Sequence, residues 1–280
     1  MSNQSQCLKT GFGSQSFEIE CNNQDAYRLA EFLFFDFPGA AAEQEPKLYD
    51  LIYSGSRPMI SLWEDDKRLY FGQNPHHLAV ILMNEVLYHC IDANLESHAL
   101  HAGAVIRGNS CIILPGQSGT GKSTLTAWLV AHGYQYLTDE LIFLADNGTV
   151  TPVTRPISLK TGPNHYSWMN LQECDVQIIA SENEMMVPHR LLNGTFTPQE
   201  PQVTHIVYPH YVEGAAMELQ PLSPAKSCFM LMQSHVNARN LEGLGVPRLA
   251  ETVRNCHSYS LTYGRFEDVE SIFCSPNVLS

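Results

Sequence analysis

The stretch "LPGQSGTGKST", residues 114–124, decides the reading of this chain. It satisfies the pattern G-x-x-x-x-G-K-[ST] with Gly116, Gly121, Lys122 and Ser123. Glycines in such a loop let the backbone curl until successive N–H groups point inward at phosphate oxygens. Lys122 would reach the outer phosphates, and the Ser123 hydroxyl would ligate magnesium. The whole candidate cradle is Gly116, Gln117, Ser118, Gly119, Thr120, Gly121, Lys122, Ser123 and Thr124. Context supports it. The apolar run "SCIIL" reads as a strand entering the loop, and "KSTLTAWLVAHG" reads as a helix leaving it, with Gly133 past its end. That helix presents its positive dipole end to the anion.

Further along, "YQYLTDELIFLA" reads as one apolar strand carrying Asp139 and Glu140. Two adjacent acids in an apolar strand are unfavourable unless cations or hydrogen bonds satisfy them. Strand alternation sends them to opposite faces, one to hold magnesium and the other to meet a substrate. His101 precedes the strand that leads through a hairpin into the loop, and is the third candidate.

The rest of the chain bounds the partners. Its 280 residues carry a net charge of −13, with 16 Lys and Arg spread over the length and no basic run. A nucleic-acid partner wants clustered cations, so none is expected. No apolar run reaches the roughly 18 residues of a membrane helix, and no membrane partner is expected. The opening residues lack a basic stretch followed by an apolar one, so a cytoplasmic protein is expected. The eight cysteines form no CxxC pair, and several sit in apolar runs, which reads as buried reduced thiols.

Two textures divide the chain. Residues 1–97 read as a small α+β accessory subdomain. It has a strand at "SFEIEC", a helix in "NQDAYRLAEFLFFDF", strands "KLYDLIYS" and "MISLWEDDKRLYFG", and a long helix from Pro75 capped by Asn74. Residues 98–280 hold the phosphate loop. Within them "DNGT" reads as a hairpin turn, and "VTHIVYPHY", "AMELQPLS" and "HSYSLTY" as strands. Helices are expected after Ser223, around residues 244–255 and near the end. Residues 163–202 read as a long connection or substrate-facing excursion.

Residues 98–160, from "LHAGAVIRGNSCIILPGQSGTGKST" through the acid pair to "TRPISLK", resemble HPr kinase/phosphorylase and its related kinases. The resemblance implies an α/β P-loop kinase fold with a mixed sheet, of the HPr kinase and phosphoenolpyruvate carboxykinase-like type. It implies ATP and Mg, and phosphoryl transfer to a serine or other hydroxyl. Asp139 then takes the place of the general base, Glu140 that of a magnesium ligand beside Ser123, and His101 that of the histidine near the reacting phosphate. Lys122 is catalytic, and Arg155 is a candidate for stabilising the transferred phosphoryl. Thr124 replaces the usual Glu, Glu140 replaces the usual second Asp, and the downstream Arg-Gly-x-Gly signature is missing. The acceptor is accordingly left as a protein, a precursor peptide or a small-molecule hydroxyl, and a homo-oligomer is a family expectation only. The alternative is a P-loop ATPase or nucleotide switch without an acceptor, although "LSGGQ" and "NKxD" motifs are absent.

Overall fold

The computed structural model describes residues 5–39, 45–54, 59–161, 166, 168–169 and 178–274. They fall into two compact units. One holds Met1–Ala93, Ser158–His165 and Asp175–Pro188; the other holds Asn94–Ile157, Tyr166–Cys174 and His189–Ser280. The sequence reading drew one boundary at residue 97, whereas the first unit also takes two later segments.

The first unit opens with β1 (Gln6–Phe12) and β2 (Gln15–Cys21), a hairpin turned at Gly13, whose φ of 57° suits glycine. The sequence reading found β2 and missed β1, whose polar residues alternate with few large apolar ones. Asn23 caps α1 (Gln24–Phe34), which carries the chain over to β3 (Lys47–Ser54), parallel to β2. β4 (Met59–Glu64) and β5 (Lys67–Gly72) complete a sheet of order β1-β2-β3-β4-β5. α2 (Pro75–Ala93) starts as expected: the His77 amide donates to Asn74 Oδ1 at 3.1 Å. It buries Leu78, Leu82, Met83, Val86 and Leu87 and packs on β2 and β4. Phe17, Ile19, Leu51 and Leu62 face it as a dry core.

The second unit is built on β6 (His98–Arg107), β7 (Ser110–Pro115), α3 (Lys122–Ala131), β8 (Gln135–Thr138), β9 (Leu141–Leu144) and β10 (Val150–Pro152). β11 (Ile157–Lys160), β12 (Ile179–Ala180) and β13 (Glu184–Val187) form a separate sheet of order β11-β13-β12. The described part of the expected 163–202 connection therefore contains two strands, too short to be legible; residues 162–165, 167 and 170–177 lie outside the described residues. β14 (Val203–Tyr211), β15 (Glu218–Pro221), α4 (Pro224–Met232), α5 (Val246–Arg254), β16 (His257–Tyr263) and α6 (Phe266–Phe273) follow.

The large sheet has the order β10-β9-β6-β7-β14-β16-β15, with β8 also on β6. β14 runs parallel to β7 and β16, and the remaining pairs are antiparallel, so the sheet is mixed and the class is α/β. Alternation covers both of its faces. Ala102, Ala104 and Ile106 share one cluster with Leu231 of α4 and Leu249 and Val253 of α5. Gly103, between them, faces Thr126 of α3, where a Cβ would collide with the threonine hydroxyl.

Among the described residues no helix is long and apolar enough to cross a membrane. Cys21, Cys90, Cys111 and Cys228 are buried free thiols, as expected; Cys7 is exposed, Cys256 and Cys274 are half-buried, and Cys174 lies outside the described residues.

Candidate functional site

β6 assembles the site. On one side it pairs with β7, Ala102 opposite Pro115; on the other it pairs with β9, His101 opposite Leu141. The glycine-rich loop leaves β7 directly after Pro115, and Glu140 directly precedes Leu141. The loop and the acid pair therefore emerge on either side of β6 next to His101, inside the sheet rather than at its edge. The Ala102 amide donates to the Glu140 carbonyl at 3.1 Å, and the His101 amide to the Ser234 carbonyl at 2.7 Å. His101 itself lies within the strand rather than before it.

The loop has the conformation its glycines were expected to allow. Gly119 and Gly121 take φ of 88° and 96°. A Cβ on Gly121 would stand 3.0 Å from Tyr263 Oη and 3.1 Å from Tyr211 Cβ, so the strands β14 and β16 press directly on the loop backbone. The Tyr211 amide holds that contact by donating to the Thr120 carbonyl at 3.1 Å. Neither tyrosine was legible as part of the site, because they lie 90 and 142 residues beyond Gly121 with no local signal. The Thr120 hydroxyl donates to the Gln117 carbonyl at 3.0 Å. Among the described residues, the N–H groups of Gly119, Gly121, Lys122, Ser123 and Thr124 have no internal acceptor. Neither do the hydroxyls of Ser123 and Thr124 have a partner there. Gln117, Ser118 and Gly119 are exposed at the tip. Lys122 is 5% exposed, and its Nζ donates to the Gln117 carbonyl at 2.9 Å. Burial lowers its pKa, and the carboxylates of Glu140 and Asp139 oppose that shift.

The acid pair departs from the sequence reading. "YQYLTDELIFLA" is not one strand. It breaks at Asp139 and Glu140 into β8 and β9, and Thr138 pins the break. The Thr138 hydroxyl donates to the Val153 carbonyl at 2.7 Å and accepts from the amides of Glu140 at 3.2 Å and Leu141 at 3.4 Å. Without strand alternation the two carboxylates do not part to opposite faces; they converge on Arg155. Arg155 Nη2 donates to Glu140 Oε2 at 2.7 Å and to Asp139 Oδ2 at 3.4 Å. Its Nε lies 3.3 Å from Asp139 Oδ1 without hydrogen-bond alignment, so that contact is Coulombic. The segment carrying Arg155 is sewn alongside: the Thr154 hydroxyl donates to the Leu137 carbonyl at 2.9 Å, and the Val153 amide to the Leu141 carbonyl at 3.0 Å.

Burial alone would pull the Arg155 pKa down, but Asp139 and Glu140 more than offset it and the net shift is upward. Arg155 is thus a cation held by two acids. Asp139 is fully buried and also accepts from Tyr136 Oη at 3.1 Å. Tyr136, a phenol three residues before the acid, is the local signal that sequence reasoning passed over.

Glu140 is the acid at the surface, its side chain 36% exposed. Its Oε1 lies 3.3 Å from His101 Nε2. Burial lowers the His101 pKa first; Glu140 opposes that and Lys122 adds to it, leaving the imidazole below its ordinary value. The same five groups, His101, Lys122, Asp139, Glu140 and Arg155, thus act on one another electrostatically.

The chain matches no protein-family model and no curated protein.

The arrangement offers an anion cradle of unpaired N–H groups, one cation in it, a hydroxyl at the first turn of the helix, and a carboxylate–imidazole pair. Such a set has the chemistry to accept an anion at the loop and a proton at the carboxylate–imidazole pair.

Proposed function

We propose that the chain is a P-loop phosphotransferase that moves the terminal phosphoryl of ATP to a hydroxyl of a protein, peptide or small molecule. The observation that carries the reading is β6. It seats the Glu140–His101 pair between the glycine-rich loop and the buried Arg155. The resemblance of residues 98–160 to HPr kinase/phosphorylase-related kinases supports the same reading, as does the mixed α/β sheet.

The loop fits a triphosphate. Its unpaired N–H groups offer several donors for oxygen, the left-handed φ of Gly119 and Gly121 disfavours side chains, and the close approach at Gly121 leaves no room for one. Lys122, whose Nζ donates to the Gln117 carbonyl, would supply its charge to the phosphate oxygens. The Ser123 hydroxyl would hold magnesium, which supplies neutralisation of charge developing on the phosphoryl oxygens. In the transfer the acceptor O–H bond breaks, a new O–P bond forms, and the bond to the leaving diphosphate breaks. The proton passes to the Glu140–His101 pair, entering at the carboxylate. A neutral His101 is suited to share it, and Arg155 fixes the carboxylate's orientation. This gives Glu140 the proton-accepting role that the sequence reading put on Asp139, because a carboxylate with no exposed surface cannot touch an acceptor. Asp139 positions Arg155.

The test is incubation with γ-labelled ATP, magnesium and a panel of serine peptides and small hydroxyl compounds. Label should appear on an acceptor. Release of label only as inorganic phosphate, at a rate no acceptor changes, would make the protein an ATPase or switch instead.

A further inference from the structure

The first unit carries a cluster that the proposed phosphotransfer does not use. Glu85 and His89 stand one helical turn apart on α2, and Glu64 ends β4 beneath them. One ligand atom from each residue lies within 4.8 Å of the other two. His89 Nε2 is already 2.8 Å from Glu64 Oε1, with side chains 21% and 15% exposed. Each ligand is held. The His89 ring lies 6.4 Å from the Phe17 ring, and Tyr49 Oη donates to Glu64 Oε1 at 3.5 Å from the opposite residue of β3.

The charge is unbalanced. Among the described residues no lysine or arginine pairs with Glu64 or Glu85, and His89 offsets a carboxylate only when protonated. Two half-buried carboxylates therefore stand at the joint between helix and sheet with His89 as their nearest nitrogen ligand.

We propose that Glu64, Glu85 and His89 bind a divalent transition-metal ion that clamps α2 to β4. One imidazole with two carboxylates suits a first-row ion such as zinc; magnesium and calcium favour all-oxygen sets. Bonds of about 2.0–2.2 Å to nitrogen and oxygen place tetrahedral ligands a little over 3 Å apart. The ion therefore parts the Glu64–His89 contact slightly and draws Glu85 in. Partial exposure leaves a further coordination position to water. The proposal rests on the first unit alone and is independent of the phosphotransfer reading.

The whole chain, stripped with chelator and free of nucleotide, is titrated with zinc, and binding is read by calorimetry and by metal analysis after dialysis. One zinc per chain should bind, and thermal unfolding should shift upward with free zinc. At free zinc a hundred times Kd the folded state gains about a hundredfold in population. E85Q and H89Q should each weaken binding by at least about tenfold. E85Q leaves the Glu64–His89 bond and the Phe17 contact untouched, so it separates ligand loss from misfolding. Failure to bind zinc, or equal binding by wild type, E85Q and H89Q, would overturn the proposal.

Discussion

Arg155 Nη2 donates to Glu140 Oε2 at 2.7 Å, and this short bond ties a 7% exposed guanidinium to the one acid of the pair that reaches the surface. The same guanidinium neutralises the fully buried Asp139. Arg155→Met should therefore act on the fold before it acts on chemistry. Removing one partner of a buried ion pair strands the other, at about 3–5 kcal/mol. Denaturant unfolding should show a loss of that order; an unchanged midpoint would mean that Asp139 is neutral in the native protein.

The two acids should separate in mutagenesis. Asp139→Asn should lower stability, because it leaves Arg155 and Tyr136 with a poorer acceptor. Glu140→Gln should keep the melting temperature within a few degrees and lose turnover by about 10²–10⁴-fold, the range for removing a general base. Raising magnesium should not restore Glu140→Gln. If excess magnesium did restore it, Glu140 would be a metal ligand, as the sequence reading had it.

Lys122→Ala should reduce phosphoryl transfer by about 10²–10³-fold or more, since it removes a cation aimed at developing charge. Folding should persist, because Lys122 Nζ is held by one loop carbonyl. Circular dichroism with a single-turnover assay checks both halves.

Gly121→Ala should fail differently. At φ of 96° a side chain is strained, and its Cβ meets Tyr263 and Tyr211. Strain of about 1–3 kcal/mol is expected. Calorimetry should show weakened nucleotide binding alongside a lower melting temperature.

His98, at the start of β6, is fully buried with neither ring nitrogen partnered among the described residues. Its pKa falls to about 4, from burial first and then from His235 and Arg248, with Asp146 opposing. As pH falls below the ordinary histidine range the unfolded chain takes up a proton before the folded one. Stability held at pH 7 is then lost progressively toward pH 4, by up to about 1.4 kcal/mol per pH unit. Unfolding midpoints at pH 7 and pH 5 should differ accordingly. His98→Leu should flatten the difference. An equal slope in that variant would place the titration on other groups.

Much of the local structure was legible. The cap at Asn74, the Pro75 start, the turns at Gly108 and Gly148 and the strand–loop–helix around Lys122 follow from residue chemistry within a few positions. β1 and β12 were not legible, because short or polar strands owe their pairing to neighbours rather than to their own pattern.

The sequence by itself determined the glycine-rich loop between strand and helix, since glycine conformational freedom, the lysine and the helix start are encoded in consecutive residues. It also determined which residue types could act with it. Only the tertiary structure decided which of them pair and which are buried. Asp139 and Glu140 are adjacent in sequence, yet a bend pinned by Thr138 turns both toward Arg155 and leaves one buried and one exposed. Burial and charge pairing are set by what packs around a residue, and no local pattern carries that information.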